Sequence, residues 1–225
     1  MPDFVRAWFD QLLPCAICVI GMWLLVDMAG VNVFHLLQAA FSPIAKVAQT
    51  WYGMVILLFI EAFVYSMGIS CWVMSPITNP ILTMAIVANI EMARNGVTDV
   101  ALLNLYTQAT IYCAYYAFGG IGNTLALNLM SLRSKSNKIK GLSRASIAPS
   151  IFNINEPIVF GMIAWNPFLM VPMWLNGIIT PLLMWLFTKI IPFAPIPVTD
   201  FSGFWCMPFP FVTWLGTQSL NAVIL

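Results

Sequence analysis

The chain has 225 residues, of which 61% are hydrophobic and only 8% are charged, and its formal net charge is +1. A soluble globular domain carries about 25% charged residues, because its surface must face water. The composition therefore excludes an ordinary soluble domain, and the near-neutral charge gives no support for nucleic-acid binding. It predicts an all-α integral membrane protein, and its 9 Trp and 6 Tyr fit the aromatic enrichment at bilayer interfaces.

The amino terminus, Met1-Pro2-Asp3-Phe4, lacks the basic region and the cleavage site of a signal peptide. It looks like a segment from within a longer protein. Residues 12–26 then form an apolar run that predicts a first spanning helix. Cys15 and Cys18 in this run form a C-x-x-C pattern, but without a βαβ setting they are better interpreted as small packing residues.

Further apolar runs predict three more spanning helices, at residues 55–67, 101–118 and 168–191, and the start of another at 204–225. Between them lie apolar pieces too short to cross alone, at residues 81–90, 121–132, 147–165 and 209–215. Such broken pieces are typical of re-entrant hairpins, whose backbone needs protein or a water-filled cavity around it. The sequence predicts a polytopic helical bundle with re-entrant hairpins, which suits a transporter better than a lipid anchor.

One predicted loop, residues 131–146, contains five of the nine basic residues and no acidic residue. The five are Arg133, Lys135, Lys138, Lys140 and Arg144. The positive-inside rule places this segment in the cytoplasm. A simple solvated charge run accounts for it, and a docking surface for a cytoplasmic partner is the alternative interpretation.

Three acidic residues lie in or beside apolar runs, namely Asp27, Glu61 and Glu156. A carboxylate in lipid is costly, so such residues normally face a bundle interior, a cavity or a partner. Asp27 lies near the end of its span and can reach the interface. Glu61 is deeper, and Tyr65 one helical turn away is its candidate hydrogen-bond partner. Structural and functional roles both stay open for Glu61.

Glu156 differs from the other two because Asn153 and Asn155 place two more polar side chains beside it in an apolar stretch. Pro157 disfavours α conformation at residue 156 and suits the first turn of a following helix. The polar cluster is therefore predicted at a helix break, with Asn155 or Glu156 near the N-cap. A plain N-cap explains one polar residue, whereas all three suit a ligand covered with hydroxyl groups.

The sequence offers no candidate for catalysis or metal binding. His35 is the only histidine, so neither a Ser-His-Asp triad nor a histidine-rich metal site can be assembled. Residues 119–124 lack the lysine of a phosphate-binding P-loop. We expect a protein that is not an enzyme and that uses no cofactor.

Residues 152–161, FNINEPIVFG, closely resemble the signature of the lactose/cellobiose branch of the membrane IIC permeases. These permeases belong to the bacterial phosphoenolpyruvate-dependent sugar phosphotransferase system. Residues 119–125, GGIGNTL, resemble the family's GGSGATL, and residues 132–136, the Asn166-Pro167 pair and Met1-Pro2-Asp3 are also similar. The resemblance covers nearly all of residues 1–225, which correspond to about the C-terminal half of a typical permease.

The resemblance implies a multi-pass protein of the bacterial inner membrane that binds a β-linked disaccharide such as cellobiose, chitobiose or lactose. The implied binding residues are Glu156, Asn155, Asn153, Ser70, Gly120, Gly122 and Thr124, with Pro157 shaping the site. It also implies phosphorylation of the sugar by soluble IIB and IIA components and, in the full-length family, a homodimer.

Two features depart from the family pattern. The family's Gly-Ile-His-Gly motif is Gly68-Ile69-Ser70-Cys71 here, and a serine hydroxyl binds a sugar but does not act as a base near neutral pH. The family's N-terminal half has no counterpart in these residues. The sequence therefore supports two hypotheses: a sugar permease, or a truncated or diverged non-transporting membrane subunit associated with a full-length permease.

Overall fold

The computed structural model describes residues 3–97 and 99–225, so Met1 and Pro2 of the family-like amino terminus lie outside the described part. All regular structure in the described residues is helical, as the composition predicts. The chain forms two compact units, one up to Ala40 and the other from Phe41 to Leu225. Each unit is described by itself.

The first unit is built on helix α1, Asp3–Trp23, which a wider π-helical turn at Leu24–Met28 extends. The stretch Phe9–Met28 is long and apolar enough to cross a membrane, and none of it is buried in protein. The first predicted span is therefore confirmed by length and composition. Asp27 is exposed near the end of this stretch.

A sharp bend separates helix α2, Val33–Ala48, from helix α3, Trp51–Ser66. The axes of Ala39–Ala48 and Trp51–Ser66 meet at 102°. Thr50 fixes the bend, since its hydroxyl donates to the Val47 carbonyl at 2.6 Å and accepts from the Gly53 amide at 3.1 Å. The predicted second span, residues 55–67, is thus one arm of a bent pair.

Helix α3 makes its main contact with helix α8, Pro167–Trp185, which a π-helical turn at Leu186–Ile190 extends. Gly177 lets the two backbones approach, because a Cβ there would lie 3.1 Å from the Leu58 carbonyl oxygen. The stretch Pro167–Ile190 is long and apolar enough to span a membrane. This confirms the last of the four predicted long spans.

Helix α4, Ser75–Arg94, follows a single 3₁₀ turn at Cys71–Met74. Together they form a 24-residue stretch that is long and apolar enough to cross a membrane. The prediction that residues 81–90 are too short to span is therefore wrong. The polar residues Thr78 and Asn89 within this stretch are buried in the protein, so they do not interrupt the helix.

The predicted spanning helix at residues 101–118 is wrong, since only Ala109–Tyr115 is helical there. Distant side chains bind the backbone that precedes it. Asn89 donates to the Asn104 carbonyl at 2.8 Å and accepts from the Asn104 amide at 2.7 Å. Lys189 donates to the carbonyls of Val100 and Ala101, at 2.8 and 3.0 Å. These side chains replace the hydrogen bonds of a helix.

The remaining elements are short, as the broken apolar pieces predict. They are α5 (Leu125–Ser131), α6 (Asn137–Ile151), α7 (Glu156–Ile158, extended by Val159–Ile163), the turn Ser202–Phe204, α9 (Phe211–Thr217) and α10 (Leu220–Ile224). Helix α5 packs against α6, and α9 packs against Ala109–Tyr115.

The basic segment is less of a loop than the sequence suggests. Helix α6 begins at Asn137 and already carries Lys138, Lys140 and Arg144. Ser136 caps this helix, because its hydroxyl accepts from the Ile139 amide at 3.5 Å. Residues 131–146 therefore comprise the end of α5, a short connection and the first turns of α6.

Candidate ligand-binding site

A cavity of about 260 Å³ lies in the second unit. Helices α3, α4 and α7, the turn Cys71–Met74, and segments near residues 108–121 and 205 contribute to its walls. Its polar lining includes Glu61, Asn79, Gln108, Tyr112, Asn155 and Glu156. The volume is close to the lower end of the roughly 300–1,000 Å³ usual for small-molecule sites.

The Asn-Asn-Glu-Pro segment forms the predicted helix break beside this cavity. Helix α6 ends at Ile151 and α7 begins at Glu156, with Pro157 in its first turn. Between them Asn153 has a φ of +63°, a left-handed conformation that Asn tolerates better than most residues. Asn155 occupies the N-cap position, although its side chain does not cap the helix.

Asn153 links the helix break to two other segments by hydrogen bonds. Its side-chain oxygen accepts from the Gly119 amide at 2.9 Å, and its amide group donates to the carbonyls of Trp205 and Met207 at 2.7 and 3.2 Å. Asn153 is buried and lines the cavity. Both of its donor hydrogens are engaged within the protein, so a ligand can use only its oxygen.

Asn155 is engaged in the same way. Its side-chain oxygen accepts from the Tyr65 hydroxyl at 3.1 Å. Its amide group donates to the Ile121 carbonyl and to the Thr124 hydroxyl, both at 2.9 Å. Asn155 is 3% exposed. The two asparagines therefore hold the break in position, and their contribution to a ligand is mainly to orient the residue that follows.

The glycine-rich segment gives these asparagines room. Gly120 lines the cavity with a φ of +89°, and a Cβ there would lie 2.4 Å from the Asn155 Cγ atom. Thr124 is buried behind the wall, and its hydroxyl donates to the Gly119 carbonyl at 2.7 Å. Gly122 packs against Met173, whose Cγ would be 2.7 Å from an added Cβ. Thr124 and Gly122 therefore shape the wall without lining it.

Glu156 is the polar group of the break that stays available. Its side chain is half-buried and lines the cavity. Among the described residues, no hydrogen bond or ion pair engages its carboxylate. A carboxylate offers up to four acceptor positions, so Glu156 can accept hydrogen bonds from several donors of one ligand.

Glu61 is a second carboxylate in the same lining, and the sequence left its role open. It is 2% exposed, and its Oε1 atom accepts from the Tyr112 hydroxyl at 2.8 Å. The predicted bond to Tyr65 is wrong. The Tyr65 hydroxyl donates to Asn155 instead, because the long tyrosine side chain extends from α3 to the helix break.

Ser70, which stands at the family's histidine position, is not brought into the cavity. It is exposed, and its hydroxyl accepts from the Trp72 amide at 3.4 Å, capping the turn Cys71–Met74. The next two residues, Cys71 and Trp72, line the cavity instead. The Trp72 ring meets that of Trp205, another lining residue, edge to face at 6.3 Å, which gives the cavity an aromatic margin.

Several residues that line the cavity could not be identified from the sequence. Asn79, Gln108 and Tyr112 all line the cavity. Asn79 and Gln108 are polar residues inside or beside apolar segments, and that contrast is the only signal the sequence gives for them. Nothing in the sequence pairs Tyr112 with Glu61, since 51 residues separate them.

Replacing Asn155 by Leu is expected to lower the melting temperature of the purified protein by about 6–10 °C. The change leaves buried polar groups of Tyr65, Thr124 and Ile121 without their partner, at a combined cost of about 3 kcal/mol. Thermal unfolding in detergent measures the effect. Asn137→Leu, at an exposed position of α6, is the matched control, and equal melting temperatures for both variants would contradict the positioning role of Asn155.

Comparison with known proteins gives consistent relatives. Residues 1–177 match the family model described as phosphotransferase system, EIIC. The chain is 31% identical to a cellobiose-specific EIIC component of Geobacillus stearothermophilus, over 75% of this chain and 39% of the relative. It is 28% identical to a lactose-specific EIICB component of Staphylococcus aureus, over 96% of this chain and 38% of the relative.

A solved structure is similar over the whole chain. It is the transporter ChbC, the IIC component from the N,N'-diacetylchitobiose-specific phosphotransferase system, with a TM-score of 0.73 and 25% sequence identity. The match covers 100% of this chain and 52% of ChbC. The chain thus spans about two fifths of the length of the two curated relatives and about half of ChbC.

Proposed function

Because this chain belongs to the EIIC family of the phosphotransferase system, we propose that it is the substrate-binding part of a sugar permease. The proposed substrate is a β-linked disaccharide of the cellobiose, chitobiose or lactose class. The names of the cellobiose-specific and lactose-specific relatives and of ChbC support this class.

The observation that carries the proposal is the Glu156 carboxylate in the cavity wall, which no hydrogen bond from a described residue engages. A sugar presents many hydroxyl donors, and hydrogen bonds from hydroxyls to a carboxylate are about twice as strong as those between neutral groups. Trp72 and Trp205 at the margin supply flat apolar surface for the faces of the sugar rings. Glu156 would therefore fix the orientation of the disaccharide.

The broken helices suit transport. Discontinuous helices at membrane depth are typical of transporters in which one part of the protein moves around a fixed binding site. We place the chain in the bacterial inner membrane as a multi-pass protein, with soluble IIB and IIA components as its partners and a homodimer as its assembly. Those partners would catalyse the phosphoryl transfer, and this chain would be a transport component rather than an enzyme.

A second candidate function is that of a non-transporting membrane subunit associated with a full-length permease. The position of Ser70 favours it, because this residue stands where the family has histidine and lies outside the cavity. Such a subunit binds the sugar without moving it. Uptake of labelled cellobiose by vesicles containing the chain together with its soluble partners separates the two functions.

The proposal is tested by binding of labelled cellobiose, N,N'-diacetylchitobiose and lactose to the purified chain in equilibrium dialysis. We expect saturable binding of at least one of them at a single site, and no binding of the α-linked disaccharide maltose. A correctly folded protein that binds none of the three, or that binds maltose equally well, would overturn the proposal.

A further inference from the structure

Glu61 is an unusual residue for a cavity that binds a neutral sugar. Only one of its carboxylate oxygens, Oε1, has a hydrogen-bond partner. Its other oxygen, Oε2, is buried and has no partner among the described residues. A buried carboxylate without a counter-charge is unfavourable, and an acidic residue at membrane depth normally has a specific partner.

Among the described residues, the cavity offers no such partner. Its lining includes two carboxylates, from Glu61 and Glu156, but no lysine, arginine or histidine. Lys189, which lies in the same unit, is engaged with the backbone at residues 100–103. A positive charge that pairs with these carboxylates would therefore have to come from a bound ligand.

We propose that the cavity prefers disaccharides that carry a protonated primary amine, whose ammonium group binds Glu61 and Glu156. The inference rests on the proposed function and adds a ligand class to it. An ammonium group has three hydrogen-bond donors and no acceptor, so it is complementary to a wall with two carboxylates. A sheltered site also strengthens the attraction between opposite charges relative to water.

The Tyr112 hydroxyl prepares Glu61 for this role. It holds Oε1 at 2.8 Å, so the carboxylate keeps one orientation and does not have to be ordered when the ligand arrives. The alternative is that Glu61 is protonated and donates a hydrogen bond to a sugar hydroxyl. In that case an amine gains nothing from Glu61, and Gln at position 61 serves nearly as well as Glu.

The test is competition with labelled cellobiose at neutral pH. The competitors are unlabelled cellobiose, the β-linked disaccharide of glucosamine and its N-acetylated form, which differ in the group on the second carbon of each ring. We expect the glucosamine disaccharide to bind about tenfold more tightly than the two neutral sugars. In Glu61→Gln this advantage should shrink to about twofold or less. Glu91→Gln, at an exposed position outside the cavity, should keep it.

The outcomes separate this inference from the proposed function. Binding of cellobiose without any preference for the amine would overturn the inference and leave the proposed function standing. A preference that stays at its full size in Glu61→Gln would also overturn it, because Glu61 would then contribute nothing to recognition of the ammonium group. Failure of all three sugars to bind the wild-type chain would overturn the proposed function itself. If Glu61→Gln does not fold, the relative affinities of the three sugars for the wild-type chain still test the inference.

Discussion

Replacing Glu156 by Gln is expected to weaken binding of the preferred disaccharide by about a hundredfold. The carboxylate accepts hydrogen bonds from sugar hydroxyls, and each such bond to a charged group contributes about 1.5–3 kcal/mol. Glutamine keeps the size of the side chain but removes the charge, and it places an amide donor where the site offers an acceptor. Equilibrium dialysis with the labelled sugar measures the loss.

The fold should be unaffected by the same change. Glu156 is half-buried, and no hydrogen bond from a described residue engages its side chain, so its replacement leaves no partner unpaired. Glu156→Gln should therefore insert into membranes and melt like the wild-type protein, and Glu91→Gln should in addition keep full affinity. Unchanged sugar affinity in Glu156→Gln would show that the ligand does not contact this residue.

Replacing Gly120 by Ala is expected to lower the melting temperature by about 10 °C and to abolish measurable sugar binding. An alanine at a φ of +89° is strained by about 1–3 kcal/mol. Its Cβ would also lie 2.4 Å from the Asn155 Cγ atom. Asn155 must then move, and it gives up its bonds to Ile121 and Thr124.

Gly141→Ala is the matched control for this change. Gly141 lies inside α6, and a Cβ there would meet no atom within 4 Å. Alanine is the better helix former by about 1 kcal/mol, so this variant should be as stable as the wild type or slightly more stable. Wild-type stability and binding in Gly120→Ala would show that the glycine segment does not support the helix break.

Much of the architecture follows from the sequence for identifiable reasons. The long apolar stretches Phe9–Met28 and Pro167–Ile190 were predictable, because length and hydropathy are sufficient for them. The helix break was predictable as well, since a proline such as Pro157 suits the first turn of a helix. In both cases the decisive interactions are local in the chain.

The failures come from interactions between distant residues. The helix expected at residues 101–118 is replaced largely by turns because Asn89 and Lys189 bind its backbone. In the same way the partner of Glu61 is Tyr112 rather than its helical neighbour. Hydropathy and periodicity contain no information on such pairs, which only the folded chain brings together.

Within the candidate site, too, the sequence predicts some features and not others. The sequence places Asn153, Asn155 and Glu156 at one break, but it does not show that the protein engages the two amides while no described residue engages the carboxylate. It gives Ser70 a place in the site from the family motif, and the structure leaves this residue outside the cavity. The engagement of the two amides depends on contacts with segments more than 30 residues away along the chain.

The central claim is that a β-linked disaccharide occupies the cavity beside Glu156. It is tested most directly by irradiating the purified chain with a photoreactive cellobiose derivative and locating the attached sugar by peptide mass spectrometry. We expect attachment to peptides that contain Trp72, Tyr112 or Trp205, with excess cellobiose and the Glu156→Gln change each suppressing it. Attachment confined to other segments, or attachment that excess cellobiose does not reduce, would contradict the claim.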